Sequence, residues 1–146
     1  MSDDATNVWD DVPDWGGIGA RRLVRSATGG LAASVWELQP GGSQSYYHFH
    51  HGSEEFLVVL RGSPTVRMHD GDRELSEGDV VPLPRGSEGA HGIRNDGDQT
   101  ARVLIVSTNA DPDVAEYPDT GKMATIVGGR HTFYRTDDAV DHAGSE

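Results

Sequence analysis

The stretch SYYHFHHGSEEFLVVLRG, residues 45–62, gathers three of the chain's seven histidines within four positions and sets two adjacent glutamates just behind them. Imidazole and carboxylate at that density are the makings of a divalent-cation site, and the plainer reading is a charged surface loop with a His/Glu ion pair. Spacing helps to choose between them. Side chains two apart on a strand share a face. That rule groups Tyr46, His48 and His50 on one strand and Glu55, Leu57 and Val59 on the next, with His51, Gly52 and Ser53 as the turn. If the two strands are hairpin partners, two imidazoles and one carboxylate converge beside the turn. Burying three titratable groups together is costly without a cation, which favours the metal. Glu54 falls on the opposite face, toward solvent or an arginine, unless a bulge in the turn exchanges it with Glu55.

A fourth ligand has one natural source. In GDVVPLPRGSEGAHGIRN, residues 78–95, His91 is flanked by turn chemistry and strand-like residues, so it is expected to reach the cluster from a distant strand. His51, His69, His131 and His142 lack such a context and read as surface residues. Tyr46, on the same strand face as His48, is the candidate catalytic side chain, a hydrogen-bond donor to bound substrate, with barrel packing as the alternative. Arg67 and Arg85 would steer an anionic substrate or, more simply, pair with surface carboxylates. The chain has no cysteine, so any metal must be held by imidazole and carboxylate.

The elements that must position these groups read as strands. Nineteen glycines and seven prolines punctuate short runs rich in Val, Ile, Leu and aromatics, and no long stretch carries the periodicity of an amphipathic helix. Strands are expected at 20–26, 31–38, 45–50, 55–60, 64–69, 72–75, 79–82, 89–95 and 100–107, with Asp-Gly hairpin signals in HDGD at 69–72 and NDGD at 95–98. This is an all-β chain, a sandwich or a barrel. Residues 1–19 form an N-terminal arm with Trp9 and Trp15 as aromatic anchors, and residues 20–135 form the barrel domain with its C-terminal extension. Within that extension ADPDVAEYPDTGKM reads as a surface loop and ATIVGGRHTFYR as one more strand pair. Residues 136–146 read as a solvated tail.

Twelve basic residues face twenty-four acidic ones, a formal net charge of −12. Such a surface repels phosphate backbones and anionic lipid, which argues against nucleic-acid and membrane partners. No apolar stretch approaches the roughly 20 residues a membrane helix needs, and Met1-Ser2-Asp3-Asp4 lacks the basic and apolar regions of a signal peptide. The expectation is a soluble, acidic, cytoplasmic protein.

The ordered residues resemble a known family. Gly42, His48, His50, Glu55 and Gly62 match the first cupin motif, G-x5-H-x-H-x(3 or 4)-E-x6-G, at every fixed position. Gly78, Pro84, Gly86, His91 and Asn95 match the second, G-x5-P-x-G-x2-H-x3-N, except that SEGA places four residues between Gly86 and His91 where the pattern has two. The chain is thus similar to the small single-domain prokaryotic cupins. The resemblance implies a double-stranded β-helix, or jelly-roll, barrel that binds a metal through His48, His50, Glu55 and His91, and a homodimer. Three imidazoles and a carboxylate suit Fe, Mn, Ni, Zn, Co or Cu, with coordination positions left open for a small-molecule ligand or substrate. The expected function is that of a metal-dependent enzyme, oxygenase or isomerase in type, acting on a small polar or carbonyl-containing molecule. The alternative is a non-catalytic module that binds or senses such a molecule.

Overall fold

A computed structural model describes residues 5–14, 18–26 and 28–143, with the backbone alone for residues 21–23. Trp15 lies outside the described residues. The described residues form twelve strands: β1 (Ile18–Arg25), β2 (Ala32–Leu38), β3 (Phe49–His50), β4 (Glu55–Arg61), β5 (Thr65–Met68), β6 (Gly71–Glu74), β7 (Val80–Leu83), β8 (His91–Arg94), β9 (Ala101–Ser107), β10 (Asp113–Tyr117), β11 (Lys122–Val127) and β12 (Arg130–Arg135). One layer is a five-stranded sheet in the order β1-β2-β9-β4-β7. The facing layer is made of β12-β11-β10-β3 and β6-β5-β8. Segment 43–48 joins those two sheets through the bridges Ser43 to Arg94 and His48 to His91. All strand pairings are antiparallel. The architecture is the jelly roll expected from the sequence.

Period-two alternation decides which side chains enter the barrel. On β4, Leu57 and Val59 are fully buried while Phe56 is 53% exposed. Leu57, Val59, Val81, Leu83, Val103 and Ile105 pack with Leu38, Val66 and Ile93 into one hydrophobic core. The core fills one end of the barrel. Glu55 precedes Leu57 on the same inward row, and Ser107 follows Ile105 on its own, so each strand face passes from core to polar cavity within two residues.

Three expectations are corrected here. The strand foreseen at 45–50 is regular only at Phe49–His50, and it pairs with β10, not with β4. The His/Glu cluster is therefore assembled across the barrel from both layers, not along a hairpin. Second, the stretch taken as a surface loop contains β10, whose residues Asp113 to Tyr117 register with β11; Pro112 and Pro118 on either side of this short alternating run disguised it. Third, NDGD makes no hairpin, because β8 and β9 belong to different sheets. There Asn95, 1% exposed, donates to the carbonyls of Leu38 and Gln99 at 2.9 and 2.8 Å and accepts from the Gly97 amide at 3.0 Å, closing the crossover. The strand pair foreseen near the C-terminus is present as β11 and β12, turning at Gly128 and Gly129.

Part of the arm is anchored to the barrel. Arg61 lies over the Trp9 ring, 5.1 Å from its centroid. Buried Arg102 holds the Asp10 carbonyl together with the Glu37 carboxylate. No helix among the described residues is long and apolar enough to cross a membrane.

Asn95→Ala takes the side-chain partner from the buried Leu38 carbonyl and from the less buried Gln99 carbonyl and Gly97 amide. It is expected to cost about 2–3 kcal/mol of stability, read as a lowered midpoint in urea unfolding.

Candidate metal centre

The site is built where short polar strand ends meet inside the barrel. Backbone bonds pair His48 with His91, from His48 N to the His91 carbonyl at 3.1 Å and from His91 N to the His48 carbonyl at 2.9 Å. These bonds bring the two rings to 4.7 Å between centroids. The His50 ring stands edge-on to His48 at 5.1 Å. Glu55 enters from the opposite sheet. The donor atoms of His48, His50 and Glu55 lie within 4.8 Å of one another. Glu55 Oε1 is 3.8 Å from His50 Nε2 and 3.7 Å from His91 Nε2. Two donors about 2.0–2.2 Å from a shared cation can be no more than roughly 4.4 Å apart, so the two Glu55 spacings suit ligands of a common ion, and the 4.8 Å bound on the His48, His50 and Glu55 group lies just above that limit.

The other ring nitrogen of each histidine is occupied. His48 Nδ1 donates to the Tyr46 carbonyl at 2.8 Å, with the Ser45 hydroxyl at 3.3 Å. His50 Nδ1 donates to Asp113 Oδ2 at 2.9 Å, and His91 Nδ1 to the Gly89 carbonyl at 2.8 Å. A carbonyl or carboxylate facing Nδ1 requires the proton there, which leaves every Nε2 lone pair directed into the cluster. His48, His50 and Glu55 form a group that could hold a metal ion, and imidazole with carboxylate is a donor set that borderline transition metals accept.

Electrostatics agree. Burial pushes His48 down to about 4, aided by charge on His91 and His50 and opposed by the bond to the Tyr46 carbonyl. Burial also lowers His91, against the bond to Gly89 and the charge of Glu55. Burial alone would raise the Asp113 carboxyl. Hydrogen bonds from Ser53 and from the Gly52 and Val114 amides, together with His50, hold it below the usual carboxylate range instead. Neutral His48 and His91 and an ionised Asp113 are the protonation states that ligation needs.

The two-residue insertion before His91 is absorbed by a 3-10 turn over Ser87–Gly89, and His91 still arrives at Glu55. The turn requires glycine at its end, because a Cβ on Gly89 would sit 1.6 Å from the Pro84 carbonyl oxygen. Gly62, matched by the first motif, has φ +83 and the Thr100 carbonyl 2.8 Å from where a Cβ would be.

The cluster opens into a cavity of about 560 Å³ whose walls include Trp36, Ile105, Ser34, Gln44, Tyr117 and Arg25. Tyr46 does not line it: the side chain is 75% exposed and faces a separate groove beside Tyr47 and Arg67. Strand parity failed for Tyr46 because residues 44–47 bend instead of running as a strand. Tyr117 occupies the place expected of Tyr46, its ring stacked on His48 at 5.4 Å and 21°. Burial raises its phenol above the ordinary value, so it is a donor at neutral pH. Sequence reasoning missed both Asp113 and Tyr117. The signal was the inward alternation Asp113, Ala115, Tyr117.

The remaining charged groups sort simply. Glu54 faces outward and meets Arg85 at 3.5 Å, as the spacing indicated. Arg67 pairs with Asp119 and lies over the Tyr47 ring, so neither arginine reaches the cavity. His51 pairs with Glu116 at 2.5 Å, and His69 and His142 are exposed. His131 is exposed, as expected, and also lines the cavity wall.

Fold, site and motifs define a cupin, and the chain belongs to the cupin domain family (Cupin_2), whose family model matches residues 34–107. Among solved structures it is similar to a sugar phosphate isomerase of the cupin superfamily from Silicibacter pomeroyi, with 25% identity, TM-score 0.75, and 87% of this chain and 82% of that one covered. It is also similar to the polyketide cyclase RemF from Streptomyces resistomycificus, with 26% identity, TM-score 0.57, and 73% and 79% covered. Among curated proteins it is similar to the tetracenomycin polyketide synthase protein TcmJ from Streptomyces glaucescens. That match is 29% identical over 110 residues, 70% of this chain and 71% of that protein.

Two outcomes test the centre. Unfolded histidine binds a proton below 6.5, whereas folded His48 binds one only near 4. Stability must therefore fall as pH drops from 6.5 toward 4, by about 3 kcal/mol from this residue. Urea unfolding of metal-free protein at pH 7, 5.5 and 4 measures it, and His48→Gln should flatten that limb. Asp113→Ala frees the His50 ring and is expected to weaken metal affinity about 10–100-fold in a chelator competition.

Proposed function

We propose that this cupin is a metal-dependent enzyme of isomerase type, moving a proton on a small hydroxylated, carbonyl-bearing molecule. The observation that carries the reading is the convergence of the His48, His50 and His91 Nε2 atoms with Glu55 at the floor of a cavity large enough for a small metabolite. His48, His50, Glu55 and His91 are the ligands. A divalent cation held by them supplies Lewis acidity toward a carbonyl or hydroxyl oxygen. Tyr117 donates a hydrogen bond to a substrate oxygen above His48. Trp36 and Ile105 give the substrate an apolar wall that limits water. The similarity to a sugar phosphate isomerase supports this reaction type over oxygenation, and the likeness to a polyketide cyclase is compatible with the same carbonyl chemistry.

A homodimer belongs to the same reading. Phe56 and Val80 are each more than half exposed on the outer face of the five-stranded sheet, a face suited to cover by a second copy.

The test begins with metal analysis of protein purified without chelator, where stoichiometric transition metal is expected in wild type and a loss in His48→Ala and Glu55→Ala. Metal-loaded protein is then incubated with hydroxy-aldehydes and hydroxy-ketones in deuterated water. Deuterium entering the carbon beside the carbonyl, seen by NMR and reduced at least about tenfold in Tyr117→Phe, is the expected result. Full metal with no exchange on any compound would point to the non-catalytic binding module instead.

A further inference from the structure

Arg25 is the only arginine or lysine on the cavity wall among the described residues. Its guanidinium makes no ion pair or hydrogen bond among the described residues, although the chain holds twice as many acidic residues as basic ones. Arg67, Arg85, Arg94 and Arg102 are paired with carboxylates, and Arg61, Arg73, Arg130 and Arg135 lie away from the cavity. The cavity's own carboxylates are engaged elsewhere. Asp111 accepts from the Gly128 amide, Asp113 accepts from His50 and two amides, and Glu55 faces the histidines. A permanent cation with no internal partner, on the wall of a cavity in an acidic protein, fits an anion that arrives with the ligand.

Register fixes where that anion would sit. Glu55 on β4 pairs with Ser107 on β9, Ser107 with Ala32 on β2, and Ala32 with Arg25 on β1. All four residues line the cavity. Three inter-strand steps of about 4.8 Å place the outer two Cα atoms roughly 14 Å apart. The Arg25 and Glu55 side chains shorten that span from both ends. The hairpin carrying Arg25 is pinned at the rim by the Asn109 side-chain amide, which donates to the Gly29 carbonyl at 2.8 Å. The same cavity is lined by Ser34, Gln44 and Tyr117, whose hydroxyl and amide groups are matched to a polyhydroxy chain.

Resting on the function proposed above, we infer that Arg25 receives a phosphate or carboxylate at the far end of a small hydroxylated substrate whose reacting end lies at the His48, His50, Glu55 and His91 cluster. Guanidinium forks recognise either anion through paired charge-assisted hydrogen bonds. The cluster sets the reaction, and Arg25 sets which molecules reach it.

Calorimetric titration of the metal-loaded protein with glucose 6-phosphate, glucuronate and glucose tests the assignment. At least one charged probe is expected to bind about tenfold more tightly than glucose, and the tighter of the two identifies phosphate or carboxylate as the group recognised. Arg25→Gln, on an exposed strand end, should keep its thermal midpoint and metal content while losing that preference, and Arg25→Lys should restore part of it. Equal affinity for charged and neutral probes, no binding of any probe at millimolar concentration, or an anion preference intact in Arg25→Gln would each overturn the assignment. Metal content measured on the same samples reports separately on the metal centre. Arg25-dependent anion binding by a protein that holds no metal would uphold this inference while sinking the function on which it is built.

Discussion

Three hydrogen bonds made by imidazole Nδ1 atoms govern this molecule. Each ties a ring to an acceptor behind it, the Tyr46 carbonyl, the Asp113 carboxylate or the Gly89 carbonyl, and so commits the opposite nitrogen to the barrel interior. Without those acceptors the rings could rotate or exchange tautomers, and the cluster would be a set of histidines without a common aim. The cost is three buried or half-buried polar rings beside a carboxylate, which the hydrogen bonds offset in part. Much of the surrounding architecture serves to place those three acceptors.

The barrel does this with two layers of different character. The five-stranded sheet contributes long, apolar strands whose inward residues form the core and whose last inward position is polar, Glu55 on β4 and Ser107 on β9. The facing layer is broken into short strands, bends and a 3-10 turn. Its irregularity has a use, because carbonyls left free of ladder bonds are the ones that orient His48 and His91. The core gives stability at one end while the other can afford polar groups and an open cavity.

Several readings survived the passage from sequence to structure for a common reason. His48, His50, Glu55 and His91 do meet, and Glu54 does turn away to Arg85, because alternation along β4 and the fixed spacing of the two cupin motifs are local properties. The hairpin imagined between the histidines and Glu55 was wrong although its residues were right. Antiparallel strands in facing layers of a barrel bring inward side chains together as effectively as neighbours in one sheet. Tyr46 failed where the backbone stopped being a strand. Asp113 and Tyr117 went unseen because β10 is a short run between two prolines, a pattern that composition assigns to a loop. Only pairing with β3 and β11 makes it a strand.

By itself the sequence determined the all-β class, the cupin identity and the residue types around the centre, since period-two patterning and motif spacing are written in neighbouring positions. Tertiary structure alone decided which nitrogen of each histidine faces inward, which tyrosine lies over the site, and that Arg25 shares a cavity wall with Glu55. Those facts depend on contacts between positions tens of residues apart, and such contacts exist only once the two layers have closed on each other.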